Sequence, residues 1–131
     1  MIKETYWSFE VAKLLKEKGF NDYVRQYYVF DYKFNIAEFV HDDREDNPNE
    51  FGSDYYAAPT QQMAMARLRK VHQIAIVIDC WFGGERYISW HGKIMCYGDD
   101  LKTQQDVELP YLATYEEAVE AAIKYCLTNL I

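Results

Sequence analysis

The spacing of apolar residues changes several times along the chain, and each change predicts a different element. After Ser8, apolar residues recur at helical spacing: Val11, Leu14 and Leu15 share a face with Trp7 at the entry, while Lys13, Lys16, Glu17 and Lys18 lie mostly on the other side. The Ser8 hydroxyl is suited to accept a free amide of the first turn, and Gly19 supplies a stop. From Tyr23 to Val40 the period drops to two. Tyr28, Phe30, Tyr32, Phe34 and Ile36 then share one face, with Val29, Asp31, Lys33, Asn35 and Ala37 on the other. This predicts a half-buried strand, either one long strand or a bent pair. Residues 41–54 (HDDREDNPNEFGSD) hold almost no apolar residue and predict a polar acidic loop.

Helical spacing returns from about Thr60 to His72. Pro59 and Thr60 mark the start, Ala64, Met65, Leu68 and Val71 form the stripe, and Arg67, Arg69 and Lys70 complement the dipole at the end. Three apolar runs follow: IAIVIDCWF ends at Gly83-Gly84, ERYISW at His91-Gly92, and KIMCYG at Gly98. Short glycine-bearing breaks between such runs predict a three-stranded antiparallel meander. Residues 99–113 read as a polar loop containing Pro110. The last helix starts at Thr114, where Thr114 and Glu117 form a capping box, and Tyr115, Val119, Ala122, Ile123 and Cys126 form its buried stripe. Glu120 and Lys124 make a favourable pair one turn apart. The expected fold is α+β: one domain over residues 1–131, in the order α-β-α-β-β-β-α. Its aromatic strand and meander would form one antiparallel sheet packed with three helices.

Two-residue turns would set Phe82 opposite Glu85, Cys80 opposite Tyr87 and Ile78 opposite Ser89. Tyr87 and Ser89 would in turn face Cys96 and Ile94. Ile74, Ile76, Ile78, Cys80, Phe82, Tyr87, Ser89, Ile94 and Cys96 would then line the core face. Cys80 and Cys96 would sit in one row two strands apart, about 9.6 Å, beyond the roughly 7 Å limit for a disulfide. The other face would carry Val77, Asp79, Trp81, Arg86, Ile88, Trp90, Lys93, Met95 and Tyr97, of which six are apolar or aromatic. A water-facing sheet side alternates to polar residues, so this face requires a cover. The chain's own elements, a second copy in a homodimer, or an unidentified protein partner could each supply it. Trp81, Arg86, Ile88, Trp90, Met95 and Tyr97 are the candidate interaction residues.

Composition narrows the function classes. The 131 residues are 50% hydrophobic and 17% aromatic, which excludes general disorder. A net charge of −7 argues against nonspecific nucleic-acid binding. A local basic patch of Lys13, Lys16, Arg67, Arg69 and Lys70, with aromatics for stacking, keeps that class open as the alternative. An acidic, aromatic chain could also inhibit a nucleic-acid-binding protein by occupying its basic surface. No apolar run is long enough to cross a membrane, and the first ten residues carry no apolar signal core, so a cytoplasmic protein is expected. Cys80, Cys96 and Cys126 are far apart and read as reduced, buried thiols.

No motif names a reaction. There is no CxxC, HxxxH, HExxH or P-loop, so no catalytic residue, metal ligand or cofactor is expected. Asp42, Asp43, Glu45, Asp46 and Glu50 offer oxygen ligands but lack the spacing of a calcium hand, and a solvated loop is the simpler account. Asp79 among aromatics is read as the partner of Arg86. An enzyme would instead need a pocket bringing Asp79 or a cysteine beside a histidine.

The segments SFEVAKLLKEKGF, YYAAPTQQMAMARLRKVHQIAIVI and TYEEAVEAAIKYCL together resemble a group of small phage- or mobile-element-associated proteins of gut bacteria. These share an amphipathic helix, an aromatic strand, an APTQ-type helix start, a small sheet and a C-terminal TYEEA helix. The resemblance implies an accessory protein in the cytoplasm of the bacterial host, and it brings no activity and no functional residues with it. The sequence reading is therefore an interaction module, self-associating through the aromatic sheet face.

Overall fold

The computed structural model describes residues 7–83, 87–96 and 105–131. The described residues form an α+β fold of three helices and six strands, in two antiparallel three-stranded sheets rather than the single sheet expected. The backbone divides into two compact units, Met1–Thr60 and Gln61–Ile131.

The first unit opens with α1 (Phe9–Glu17). The Ser8 hydroxyl accepts the Val11 amide at 3.4 Å. Gly19 takes φ +85°, which lets the Phe20 amide reach the Leu15 carbonyl at 2.9 Å and its own amide reach the Lys16 carbonyl at 3.1 Å. Those two bonds, with Leu15 and Phe20 both buried, complete a Schellman stop. The aromatic stretch is the bent pair: β1 (Val24–Asp31) and β2 (Ile36–Asp46), with β3 (Tyr55–Ala57) on the other side of β1 in the order β2-β1-β3. The bend is built by polar residues. Asp31 accepts the Lys33 amide at 2.9 Å, and Asn35 adopts φ +54°, a conformation its short side chain tolerates. Phe9 of α1 packs on the rings of Tyr28, Phe30 and Tyr56, at centroid distances of 5.7, 5.2 and 5.1 Å.

The expected acidic loop is half strand. β2 runs through His41–Asp46, pairing Val24 with Asp46 after a register shift, and a 3₁₀ turn follows at Pro48–Glu50. Asp42 shapes the irregular stretch by accepting the Arg44 amide at 3.1 Å. A charged, irregular strand is compatible with its place at a sheet edge, where half its backbone meets water.

The second unit is α2 (Gln61–Val71), β4 (Ile74–Gly83), β5 (Tyr87–Cys96), β6 (Gln105–Leu112) and α3 (Tyr115–Tyr125), which ends in a wider π turn at Cys126–Leu130. The meander is present, but its second turn is not at His91-Gly92. β5 runs straight through those residues, and the third strand comes from the stretch expected to be a polar loop. Gly92 serves packing instead. A Cβ there would stand 3.4 Å from Ala122 Cβ and 3.5 Å from the Ala118 carbonyl oxygen, ordinary contact distances that place α3 directly over β5 at this residue. Between His91 and Lys93 the β5–β6 register shifts by one residue, opposite Leu109 and Pro110. A bulge on an edge strand is where a residue without an amide hydrogen fits. The helices bury Ile74 and Ile94 of the sheet against Ala64, Met65, Leu68, Ala118, Val119, Ala122 and Ile123. Val71, expected in the buried stripe, is instead exposed. No helix among the described residues is long and apolar enough to cross a membrane.

Candidate functional site

The β4–β5 register decides which side chains share a surface. Ile74 pairs with Cys96, Cys80 with Trp90, Trp81 with Ser89 and Phe82 with Ile88. Even-numbered residues of both strands therefore lie on one face, which carries Gly92 and hence α3. Odd-numbered residues lie on the other: Val77, Asp79, Trp81, Ser89, His91, Lys93 and Met95, joined from β6 by Asp106, Glu108 and Tyr111.

This corrects the expected interaction face. Of its six residues, Trp81 and Met95 are on the outer face, whereas Ile88 and Trp90 are on the helix-bearing one, where Trp90 meets Tyr115 edge-on at 5.5 Å. Arg86 and Tyr97 lie outside the described residues, as does the expected Asp79–Arg86 pairing. The expected register failed because it joined Phe82 to Glu85, and that parity reverses all of β5 relative to β4. Cys80 and Cys96 do share a face, but Cys96 pairs with Ile74, at the opposite end of β4 from Cys80, and all three cysteines are free. Cys80 is exposed rather than buried.

The outer face holds a cleft of about 320 Å³ lined by Trp81, Ser89 and Tyr111. Three features of the sequence build it. Trp81 lies across Gly83, where even a Cβ would fall 1.8 Å from its ring, so that glycine serves the indole. Ser89, directly opposite Trp81, is small enough to leave a floor and is only 4% exposed. Tyr111 stacks on its cross-strand neighbour His91 at 4.7 Å and 23°. Val77, Trp81 and Tyr111 are 40%, 53% and 55% exposed. No spacing rule marks this cleft, because its residues come from three strands and Tyr111 from a stretch that reads as loop.

Asp79 stands opposite His91 on this face, with Ser89 two residues along. Nucleophilic catalysis needs the base hydrogen-bonded to nucleophile and orienting group. Among the described residues no side-chain hydrogen bond joins these three, and the imidazole is stacked on a phenol instead. The cleft itself sets two aromatic rings beside a buried hydroxyl.

The basic residues are divided between the two units. Lys16 is engaged within the first unit, donating to the Gly52 and Tyr55 carbonyls at 2.6 and 2.7 Å with its ammonium 4.8 Å from the Tyr56 ring centroid. Burial lowers its pKa, partly offset by Asp54. Lys13 belongs to the same helix, whereas Arg67, Arg69 and Lys70 belong to α2 in the second unit. The acidic residues of β2 are spread along a strand, and no group of three metal-ligating side chains occurs among the described residues. Comparisons of this chain with protein-family models, with curated proteins and with solved structures yield no match, so its functional reading rests on this geometry.

Proposed function

We propose that this chain is a non-enzymatic interaction module that self-associates through its β4–β5–β6 sheet, with Trp81 at the contact. The supporting observation is the set of exposed apolar side chains on its outer face: Val77, Trp81 and Tyr111, two of which flank the cleft over Ser89. Exposed apolar surface concentrated on one sheet is costly in water and is removed by association. In the setting that the resemblance implies, this is an accessory protein of a phage or mobile element.

Light scattering over a concentration series tests the proposal. The wild-type chain is expected to pass from monomer to dimer, and Trp81→Ala to raise the dissociation constant by at least about tenfold, the size of effect expected for a central tryptophan. Circular dichroism unchanged by the substitution separates lost contact from lost fold. A chain that stays monomeric at the highest attainable concentration overturns the reading.

A further inference from the structure

The first unit holds a cleft of its own, about 550 Å³, at the bend between β1 and β2. That volume lies in the range of small-molecule sites, roughly 300–1,000 Å³. The strand register shows what builds it. Val29 pairs with Glu38 and Asp31 with Ile36, so these four side chains share one face of the sheet. Phe9 of α1 packs against Tyr28 and Phe30, on the other face. On its far side Val29 pairs with Tyr55, and the Phe30 amide donates to the Asp54 carbonyl at 2.9 Å. Asp54 therefore stands on the flank of β1 away from Glu38. At the bend, Tyr32 and Phe34 line the same cleft and are 63% and 65% exposed.

The lining selects a cation with an apolar stem. Asp31, Glu38 and Asp54 bring three carboxylates and Lys33 one ammonium, an excess of two negative charges among the described lining residues. Carboxylates that share a cleft repel one another, and an entering cation relieves that repulsion. The Lys33 ammonium is turned onto the Phe34 ring, 5.6 Å from its centroid, so this wall already receives a cation. Asp31 accepts the Lys33 amide at 2.9 Å and Asp54 the Ser53 hydroxyl at 3.3 Å, bonds that orient both carboxylates. Lys16 acts on Asp54 from outside the cleft, where the Gly52 and Tyr55 carbonyls hold its ammonium. Across the sheet the order is carboxylate, aliphatic floor, carboxylate: Glu38, Val29, Asp54. Strands lie about 4.8 Å apart, so the two acidic flanks are separated by roughly 9.6 Å at the backbone. A spread of that size suits two cationic groups on one stem better than a single metal ion, and no group of three metal-ligating side chains occurs among the described residues.

We propose that this cleft binds a linear aliphatic diamine. One ammonium meets Glu38 and the other Asp54, the methylene stem lies on Val29 and Ile36, and the Tyr32 and Phe34 rings wall it in. Two positive charges match the excess of two carboxylates, and the stem uses the apolar floor that a bare ion would leave in water. The site belongs to the first unit, so it goes beyond the self-association proposed for the second and stands or falls separately from it.

Calorimetric titration at low ionic strength tests the site, with cadaverine as the probe and pentylamine as the control that keeps the stem and drops one charge. Cadaverine is expected to bind saturably, one per chain, and at least threefold more tightly than pentylamine. Glu38→Gln should weaken it at least threefold, and Glu38→Gln with Asp54→Asn should bring it to the level of pentylamine, with circular dichroism unchanged. Glu108→Gln, which removes the same charge from the second unit, should leave binding as it was. No saturable binding of cadaverine, an affinity equal to that of pentylamine, or an equal loss in Glu108→Gln and Glu38→Gln overturns the proposal. So does a lysine-rich peptide that binds through Glu38 where cadaverine does not, which would make the cleft a protein contact.

Discussion

At the scale of single residues, the glycines show how local reading and packing diverge. Gly83 and Gly92 both sit where a turn is expected, and neither has positive φ. At Gly83 the Trp81 ring occupies the space of a Cβ, whereas at Gly92 a Cβ would already stand in contact with α3. The additional methyls of Gly92→Val should crowd Ala122 and the Ala118 carbonyl and cost about 1–3 kcal/mol, as overpacking does, read as a lower midpoint in urea. The cysteines give a second test. Burial, and then nearby Cys96, push the Cys126 thiol up to about 12 from an ordinary value of 9.0. Burial, and then Asp106, also raise Cys96. A thiol disulfide reagent at mildly alkaline pH should thus react with exposed Cys80 first, Cys96 more slowly and Cys126 only on unfolding. The same shift has a stability consequence. A neutral thiol is favoured in the fold, so its contribution is complete below pH 9.0 and is lost as pH rises toward about 12. Tyr56 acts in the same direction: its hydrogen bond with Tyr32, and then burial, raise it from 10.0 to about 12. Unfolding free energy should fall through this alkaline window, with a shallower slope in Cys126→Ala.

At the scale of elements, helices were legible because their signals are local. Ser8 and Gly19 bound α1, and Thr114 accepts the Glu117 amide at 3.1 Å at the start of α3, as the capping box implies. The end of α2 has no such mark, because Gln73 adopts φ +57° where a glycine would be usual. Gln73→Gly should relieve that strain and raise stability by up to about 1 kcal/mol, measurable by thermal or urea unfolding. Strands were less legible where pairing, rather than pattern, makes them. Residues 105–112 (QDVELPYL) mix charge and proline in a way that reads as loop, and His41–Asp46 is too polar to suggest a sheet. Both are edge strands, and edge strands are selected against looking like strands. The candidate site is the least legible part, because a two-residue turn after Phe82 implies the opposite parity for Ile88 and Trp90, and Tyr111 lies in a stretch that reads as loop.

At the scale of the whole chain, net charge distinguishes the competing functions through the sign of one salt response. Each copy carries −7, so two copies repel before they meet. The proposed contact centres on Val77, Trp81 and Tyr111, none of them charged, so salt has little attraction there to weaken. Raising ionic strength from about 0.01 M to 0.1 M shortens the screening length from roughly 30 Å to 10 Å, which weakens repulsion between the bodies while sparing the apolar contact. The dimer dissociation constant should therefore fall as salt is added, measured by sedimentation in a sodium chloride series. Nucleic-acid binding through Lys13, Arg67, Arg69 and Lys70 would respond oppositely, because bound cationic side chains release counterions and lose affinity with salt. An association that tightens with salt, beside no detectable binding to single- or double-stranded DNA at the lowest salt, assigns the chain to protein contact; DNA binding that fades steeply with salt would instead make the basic residues the working surface.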